Sequence, residues 1–425
     1  MNAVVDSPRL PEVGTALRLL RGGILKQMAQ LRHGQLLVHD ALGMEEFGTP
    51  ASQHPDLSVH VHVKDMDFYR MVATHGSVGA GEAYMDGLWE CDDLVALVQL
   101  LVRNRDLLDG METGLARLAG VAMRAWHALR RNTRQGSRRN IAAHYDLGND
   151  FFQLFLSSDL MYSSALWEDD IATLEAASSR KLHRICERLQ LRSSDHVMEI
   201  GTGWGGFALH AATHYGCCVT TTTISQEQHA LATMRVAESG LSDKITVLLK
   251  DYRDLDGQYD KLVSIEMVEA IGAEFLDTYF AQCARLLKPD GLAVLQAITI
   301  EDHRFEQALK SVDFIKRFIF PGSFIPSIQA MLDAKTRSSD LALIELSDFG
   351  LSYAKTLQAW RERFLRQREC VRQQGFDERF VRMWEFYLAY CEGGFRERSI
   401  GVAHFVLAKP GYRGPQSRQA HGVHG

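Results

Sequence analysis

The stretch Met198-Glu199-Ile200-Gly201-Thr202-Gly203-Trp204-Gly205-Gly206 constrains this chain more than any other. An apolar run ends in an acidic residue and a glycine-rich turn, and Phe207-Ala208-Leu209-His210-Ala211-Ala212 then reads as the start of a helix. Strand, glycine-rich turn and helix in that order open a ligand pocket at the carboxyl end of the first strand of a doubly wound sheet. Glycine lets the backbone approach a ligand and adopt dihedrals that a Cβ forbids. An acidic-x-Gly-x-Gly turn points to the adenosine and amino-acid parts of S-adenosylmethionine (SAM) rather than to a dinucleotide. The competing reading is an ordinary connection in an α/β fold.

Apolar runs on either side predict strands at 196–200, 217–223, 245–249, 260–265 and 291–298. Helical periodicity predicts helices at 205–214, 226–239 and 273–287, the last stopped by Lys288-Pro289-Asp290-Gly291. This alternation implies an α/β fold with a mainly parallel sheet and helices on both faces. Pocket residues then follow strand ends: Thr223-Ile224-Ser225-Gln226-Glu227-Gln228, Asp251-Tyr252-Arg253 and Glu266-Met267-Val268-Glu269. Ser225 with Gln228 also reads as a helix capping box.

Upstream, Gln35–Asp40 and the period-two run Leu57–Val63 predict strands, Gly76–Gly87 a loop and Asp92–Val102 a helix. These fit a small α+β domain over 1–110. His60 and His62 share one strand face, but no third ligand lies nearby, and outward-facing polar residues are the expectation. An amphipathic helix at 111–129 leads into an Arg-rich linker ending near 140, and from Arg124 to Arg139 the six arginines Arg124, Arg130, Arg131, Arg134, Arg138 and Arg139 occur without an acidic residue. That run is either a solvated linker or a patch for anionic phospholipid headgroups. Residues 141–412 form the catalytic domain and 413–425 a tail.

Bulk properties narrow the class. A net charge of −6 gives no footprint for nucleic acid, and the seven cysteines form no Cys-x-x-Cys pair or zinc-like spacing. No metal is expected. Scattered cysteines and no signal-like apolar start predict reduced thiols in a cytoplasmic protein. The longest apolar stretch, Leu94–Val102 with Gln99 inside it, is far too short to span a bilayer.

From Arg138 to Pro410 the chain resembles the cyclopropane-fatty-acid synthase family of SAM-dependent methyltransferases. The matching blocks include Ala143-His144-Tyr145-Asp146-Leu147-Gly148-Asn149-Asp150-Phe151-Phe152, Met161–Trp167, the Gly201 turn, Lys250–Asp254, Phe318-Ile319-Phe320-Pro321-Gly322, Ala359–Phe364 and Tyr387–Arg396. The resemblance implies a class I SAM-methyltransferase, Rossmann-like fold. It implies SAM contacts at Tyr162, Ser163, Glu199, Gly201, Gly203, Trp204, Gly205, Thr223, Ser225, Gln228, Tyr252 and Arg253. It also implies a substrate that is a cis-unsaturated acyl chain of a phospholipid, met at an anionic membrane surface by a peripherally bound enzyme on the inner face; a homodimer is a further possibility.

In that family a bound bicarbonate is thought to act as base, held by a Cys, a Glu, a His, an Ile and a Tyr. Here Glu269, Ile298 and Tyr353 match, but Ser164 stands at the Cys position and Gln296 at the His position. Ser and Gln still offer hydrogen bonds but no charge. Either bicarbonate is kept, or the carbocation takes another course and gives a methyl- or methylene-branched chain instead of a cyclopropane. Glu266, a second carboxylate just past its strand, is a candidate replacement base or else a solvent-facing or helix-dipole residue. Cys391 matches the family's C-terminal cysteine and is expected to pack near the acyl pocket, no step needing a thiolate. Phe314–Ile325, with Lys316 and Arg317 among four aromatics, suggests a membrane interface or a buried helix end. Two other classes fit less well: a small-molecule N- or O-methyltransferase and a non-catalytic lipid-binding homologue.

Overall fold

The computed structural model describes residues 13–49, 57–106, 136 and 147–414. The helix expected at 111–129 and, apart from Gly136, the basic linker lie outside these residues. Helices of ten or more residues are numbered here.

The N-terminal unit is built from α1 (Thr15–Met28), β1 (Gly34–Asp40), β2 (Gly43–Thr49), β3 (Ser58–Val63), α2 (Asp67–Met85), β4 (Trp89–Cys91) and α3 (Leu94–Arg103). Its sheet has the order β2-β1-β3-β4, with β1 and β3 parallel and the other pairs antiparallel. Alternation in β3 buries Val59, Val61 and Val63 and leaves His60 and His62 exposed. The carboxylate of Asp93 caps α3, accepting from the N–H groups of Val95 and Ala96 at 2.9 Å.

The stretch 76–87, expected as a loop, is mostly helix. Gly76 breaks α2 with φ of 59°, and the helix then resumes. Gly79 and Gly81 serve close packing rather than a turn: a Cβ on Gly81 would lie 2.5 Å from the Phe314 ring.

The second sheet contains β5 (His196–Ile200), β6 (Cys218–Thr223), β7 (Ile245–Leu249), β8 (Tyr259–Ile265), β9 (Leu287–Ile300), β10 (Ala342–Asp348) and β11 (Ile400–Ala408). Its order is β10-β11-β9-β8-β5-β6-β7, parallel from β9 to β7 and antiparallel at β10 and β11. All five predicted strands are present, and the mainly parallel α/β fold is as expected. Long helices are α4 (Leu174–Leu189), α5 (Gly206–Tyr215), α6 (Gln226–Glu238), α7 (Leu276–Leu286), α8 (Ile328–Ser338), α9 (Gly350–Arg366) and α10 (Glu378–Arg396).

The two units share one core. Phe151 sits among the rings of Phe155, Phe376, Phe380 and Trp384, at centroid distances of 4.7–5.6 Å. The same apolar cluster runs on through Trp89, Leu97 and Leu100 to β1 and β3. Across the seam, Arg103 and Gln99 of α3 donate to Glu397 at 2.7 Å. Arg382 of α10 donates to the carbonyl of Trp89 at 2.8 Å and lies 4.0 Å from the centre of the Tyr84 ring.

The segment 314–325 corrects one expectation. Lys316 is buried and donates to the carbonyls of Ala308 and Ser311, while Phe314, Ile319 and Phe324 are all core residues. A lysine head held on internal carbonyls offers no charge to a membrane, so Lys316 belongs to a buried helix end.

Candidate active site

A cavity of about 620 Å³ opens at the carboxyl ends of β5, β6 and β8 and continues between the N-terminal sheet and α10. Of the expected SAM contacts, Tyr162, Ser163, Gly201, Gly203, Trp204, Thr223, Gln228, Tyr252 and Arg253 line it. Gly203 has φ of 52° and free space where a Cβ would stand, so a side chain there would enter the cavity. The buried Tyr252 hydroxyl has no hydrogen-bond partner among the described residues. An open glycine turn and an unmet buried donor suit a polar nucleoside and amino-acid ligand, so the residues present fit SAM.

The other three expected contacts support this wall from behind. The Thr221 hydroxyl donates to Glu199 at 2.6 Å, and burial pushes the Glu199 carboxyl up to about 8. Gly205 is the N-cap of α5. Ser225 caps α6, accepting the Gln228 N–H at 3.2 Å, while the Gln228 side chain accepts from Thr223 at 2.8 Å rather than closing the box. Arg253 is clamped by Asp251 and lies 5.3 Å from the centre of the Phe275 ring. Trp204 donates through its indole N–H to Asn149 at 2.6 Å.

Beyond the glycine turn, three of the candidate anion-holding residues converge on one side chain of the protein. Glu266 Oε1 accepts from the backbone N–H of Ser164 at 2.9 Å and the Gln296 amide at 2.7 Å, and Oε2 accepts from the Tyr353 hydroxyl at 2.7 Å. Ser164 acts through its backbone; its hydroxyl donates to the carbonyl of Ala165. Glu266 adopts φ of 49°, a left-handed conformation that costs about 1–3 kcal/mol for a side-chain-bearing residue. A fixed carboxylate therefore takes the donors expected to hold bicarbonate, and bicarbonate does not fit this site as built.

Glu269 is held differently. Its Oε1 accepts the Ile298 N–H at 2.6 Å, and its buried Oε2 has no partner among the described residues. Burial, followed by the charge of Glu266, pushes its carboxyl up to about 8. Burial also raises Glu266, against three donors that favour its anion. Two coupled buried carboxyls do not both ionise cheaply; the three donors on Glu266 favour its anion, and the nearby charge of Glu266 favours the proton on Glu269.

Two residues missed by sequence reasoning hold the site from behind its wall. His404, fully buried on β11, pairs in register with Gln296 on β9. Arg188 donates to His404 Nδ1, so Nε2 carries the hydrogen and donates to Gln296 Oε1 at 2.9 Å. That bond turns the Gln296 amide so that its NH₂ faces Glu266. Lys181 is also fully buried and donates to the Ser163 hydroxyl at 2.8 Å; burial pushes it down to about 8. Its position in the apolar stripe of α4, with Leu174, Ala177, Leu182 and Ile185, was a readable signal. No such signal marks His404.

Aromatic rings surround the same space. Tyr162 shares a hydrogen bond with Tyr387 at 2.9 Å, and its ring lies 5.4 Å from Trp360. Tyr353 lies 4.5 Å from Phe395. Cys391 lines the cavity, and burial raises its thiol well above the usual range, so it is no thiolate.

The mycolic acid cyclopropane synthetase family model matches residues 132–405. Tuberculostearic acid methyltransferase of Mycobacterium tuberculosis is 36% identical over 424 residues, covering 96% of this chain and 97% of that protein. Cyclopropane-fatty-acyl-phospholipid synthase of Escherichia coli is 38% identical over 351 residues, covering 82% of this chain and 87% of that protein. Among solved structures, a mycolic acid cyclopropane synthase complexed with SAH and CTAB is 30% identical with a TM-score of 0.60, covering 64% of this chain and 98% of that one. With this fold, glycine turn and buried carboxylate pair, the chain belongs to the mycolic acid cyclopropane synthetase family and is a SAM-dependent methyltransferase.

Proposed function

We propose that this enzyme adds the methyl group of SAM to the cis double bond of a phospholipid acyl chain, with Glu266 as the built-in base. The carrying observation is the Glu266 carboxylate in the wall of a cavity that also includes the SAM turn and, farther away, Leu25, Met28, Leu36 and Val38 of the N-terminal unit. An apolar extension of this kind matches an alkyl tail better than a small polar substrate. The N-terminal unit thus acts as a wall of the acyl site.

Bound at the glycine turn, SAM supplies an electrophilic methyl, and its transfer to the alkene leaves the sulfur its electron pair and a carbocation on the chain. The surrounding residues must then hold off water, which would quench the cation. Tyr162, Tyr353 and Phe395 supply aromatic walls, and aromatic faces attract positive charge. Glu266 adds a fixed negative charge. Protons beside a carbocation are very acidic, so position matters more than base strength, and three donors holding Glu266 do not disqualify it. The C–H bond breaks toward Glu266, and its electron pair closes either a ring or a new double bond. Loss of a methyl proton with ring closure gives the cyclopropane. A methylene branch instead needs a 1,2-hydride shift that first moves the cation onto the methyl-bearing carbon, after which a methyl proton leaves to Glu266.

Arg130, Arg131, Arg138 and Arg139 draw the protein to anionic phospholipid, each adding roughly 1 kcal/mol near the surface. The test is incubation with unsaturated phospholipid vesicles and isotopically methyl-labelled SAM, followed by mass spectrometry. Lipids should gain one labelled carbon, and resistance to hydrogenation identifies the ring. A label found only on small polar molecules would favour N- or O-methyl transfer, and none anywhere would favour a binding homologue.

A further inference from the structure

On the far side of the glycine turn, α4 and α5 bring three imidazoles together. His210 and His214 are one turn apart on α5, and His183 faces them from α4. Ring centroids are separated by 4.3 Å for His183 and His210, 4.5 Å for His210 and His214, and 5.1 Å for His183 and His214. One ring nitrogen from each lies within 4.8 Å of those of the other two. A tetrahedral zinc ion with bonds of about 2.0–2.1 Å needs ligand nitrogens roughly 3.4 Å apart, a gap that small side-chain rotations close.

We propose that His183, His210 and His214 form a site for a divalent transition metal, zinc foremost. Two details of the surroundings point the same way. The buried Nε2 of His210 has no hydrogen-bond partner among the described residues, and coordination would remove that cost. His183 Nδ1 lies 3.3 Å from the Tyr215 hydroxyl, the kind of outer contact that fixes which nitrogen of a ligating histidine faces the ion. His214 is exposed and adjoins an open pocket of about 260 Å³, which leaves room for water as the fourth ligand. Three nitrogen donors favour zinc, copper or nickel over magnesium or calcium, which prefer oxygen.

The site would clamp α4 to α5. Helix α5 starts at the glycine turn, and α4 carries Lys181, which holds Ser163. A bound ion therefore braces two supports of the SAM wall without entering it.

The experiment is calorimetric titration of chelator-treated full chain with zinc, alongside visible absorption with cobalt. One zinc per chain, a tetrahedral cobalt spectrum and a raised melting temperature are expected. Loss of an outer partner typically weakens metal binding about 10–100-fold, so Tyr215→Phe should fall in that range and His214→Asn should lose more. Because His214 is exposed, His214→Asn is expected to fold normally, as circular dichroism would check. No binding at micromolar zinc, or binding unchanged in His214→Asn and in His183→Asn, would overturn the proposal.

Discussion

Replacing Glu266 with Gln removes the charge and the base while keeping the shape of the site. The new amide oxygen still accepts from Ser164 and Gln296, and its NH₂ donates to the Tyr353 oxygen, which now serves as acceptor. Every other group keeps a partner, so the fold should persist and SAM affinity should hold. Loss of a positioned base typically lowers the rate about 10²–10⁴-fold, or roughly 3–5 kcal/mol of barrier. The assay is single-turnover conversion of unsaturated phospholipid at saturating SAM, with SAM binding followed by calorimetry. Glu266→Ala provides the complementary arm. It removes the carboxylate but leaves its three donors facing an anion-sized space, so added bicarbonate or formate should restore part of the lost rate. A Glu266→Gln enzyme within threefold of wild type, with SAM binding intact, would refute the assignment.

Three more outcomes follow from particular residues. Gly203→Val should abolish SAM binding in a folded protein, because φ of 52° and an open cavity put the new side chain against the ligand; unchanged calorimetric affinity would remove the glycine turn from the site. Replacing Arg130, Arg131, Arg138 and Arg139 with Gln should reduce binding to anionic vesicles and its salt sensitivity without changing SAM affinity; equal wild-type binding to neutral and anionic vesicles would contradict it. Glu199, pushed up to about 8, keeps a proton in the folded state that the unfolded chain releases near pH 4–5, so its contribution to stability is lost as pH rises toward about 8. Urea midpoints of Glu199→Gln should gain on wild type across that window, and a gap that narrows with rising pH would reverse the sign.

How much of this was legible depended on distance along the chain. The parallel strands announced themselves as short apolar runs, and the SAM turn as a local pattern of glycines after a carboxylate. Glu266 stood out as a second carboxylate, but its role rests on Ser164, Gln296 and Tyr353, which are 102, 30 and 87 positions away. Only the packed sheet and α9 bring them together. His404 depends on the antiparallel register of β9 and β11, and β11 was not among the predicted strands. The glycines of α2 misled because close helix packing and a turn demand the same residue. Lys316 misled because a basic side chain reads as exposed until its internal carbonyl partners are known.

The central claim is that the protein carries its own anion at the reacting centre, and the bicarbonate dependence of the wild-type enzyme tests it most directly. Initial rates of methyl transfer to unsaturated phospholipid would be measured in carbon-dioxide-depleted buffer and again across a bicarbonate titration. With Glu266 already bonded to Ser164, Gln296 and Tyr353, the rate should be high without bicarbonate and flat throughout. A rate that is near zero in depleted buffer and rises to saturation with bicarbonate would contradict the account.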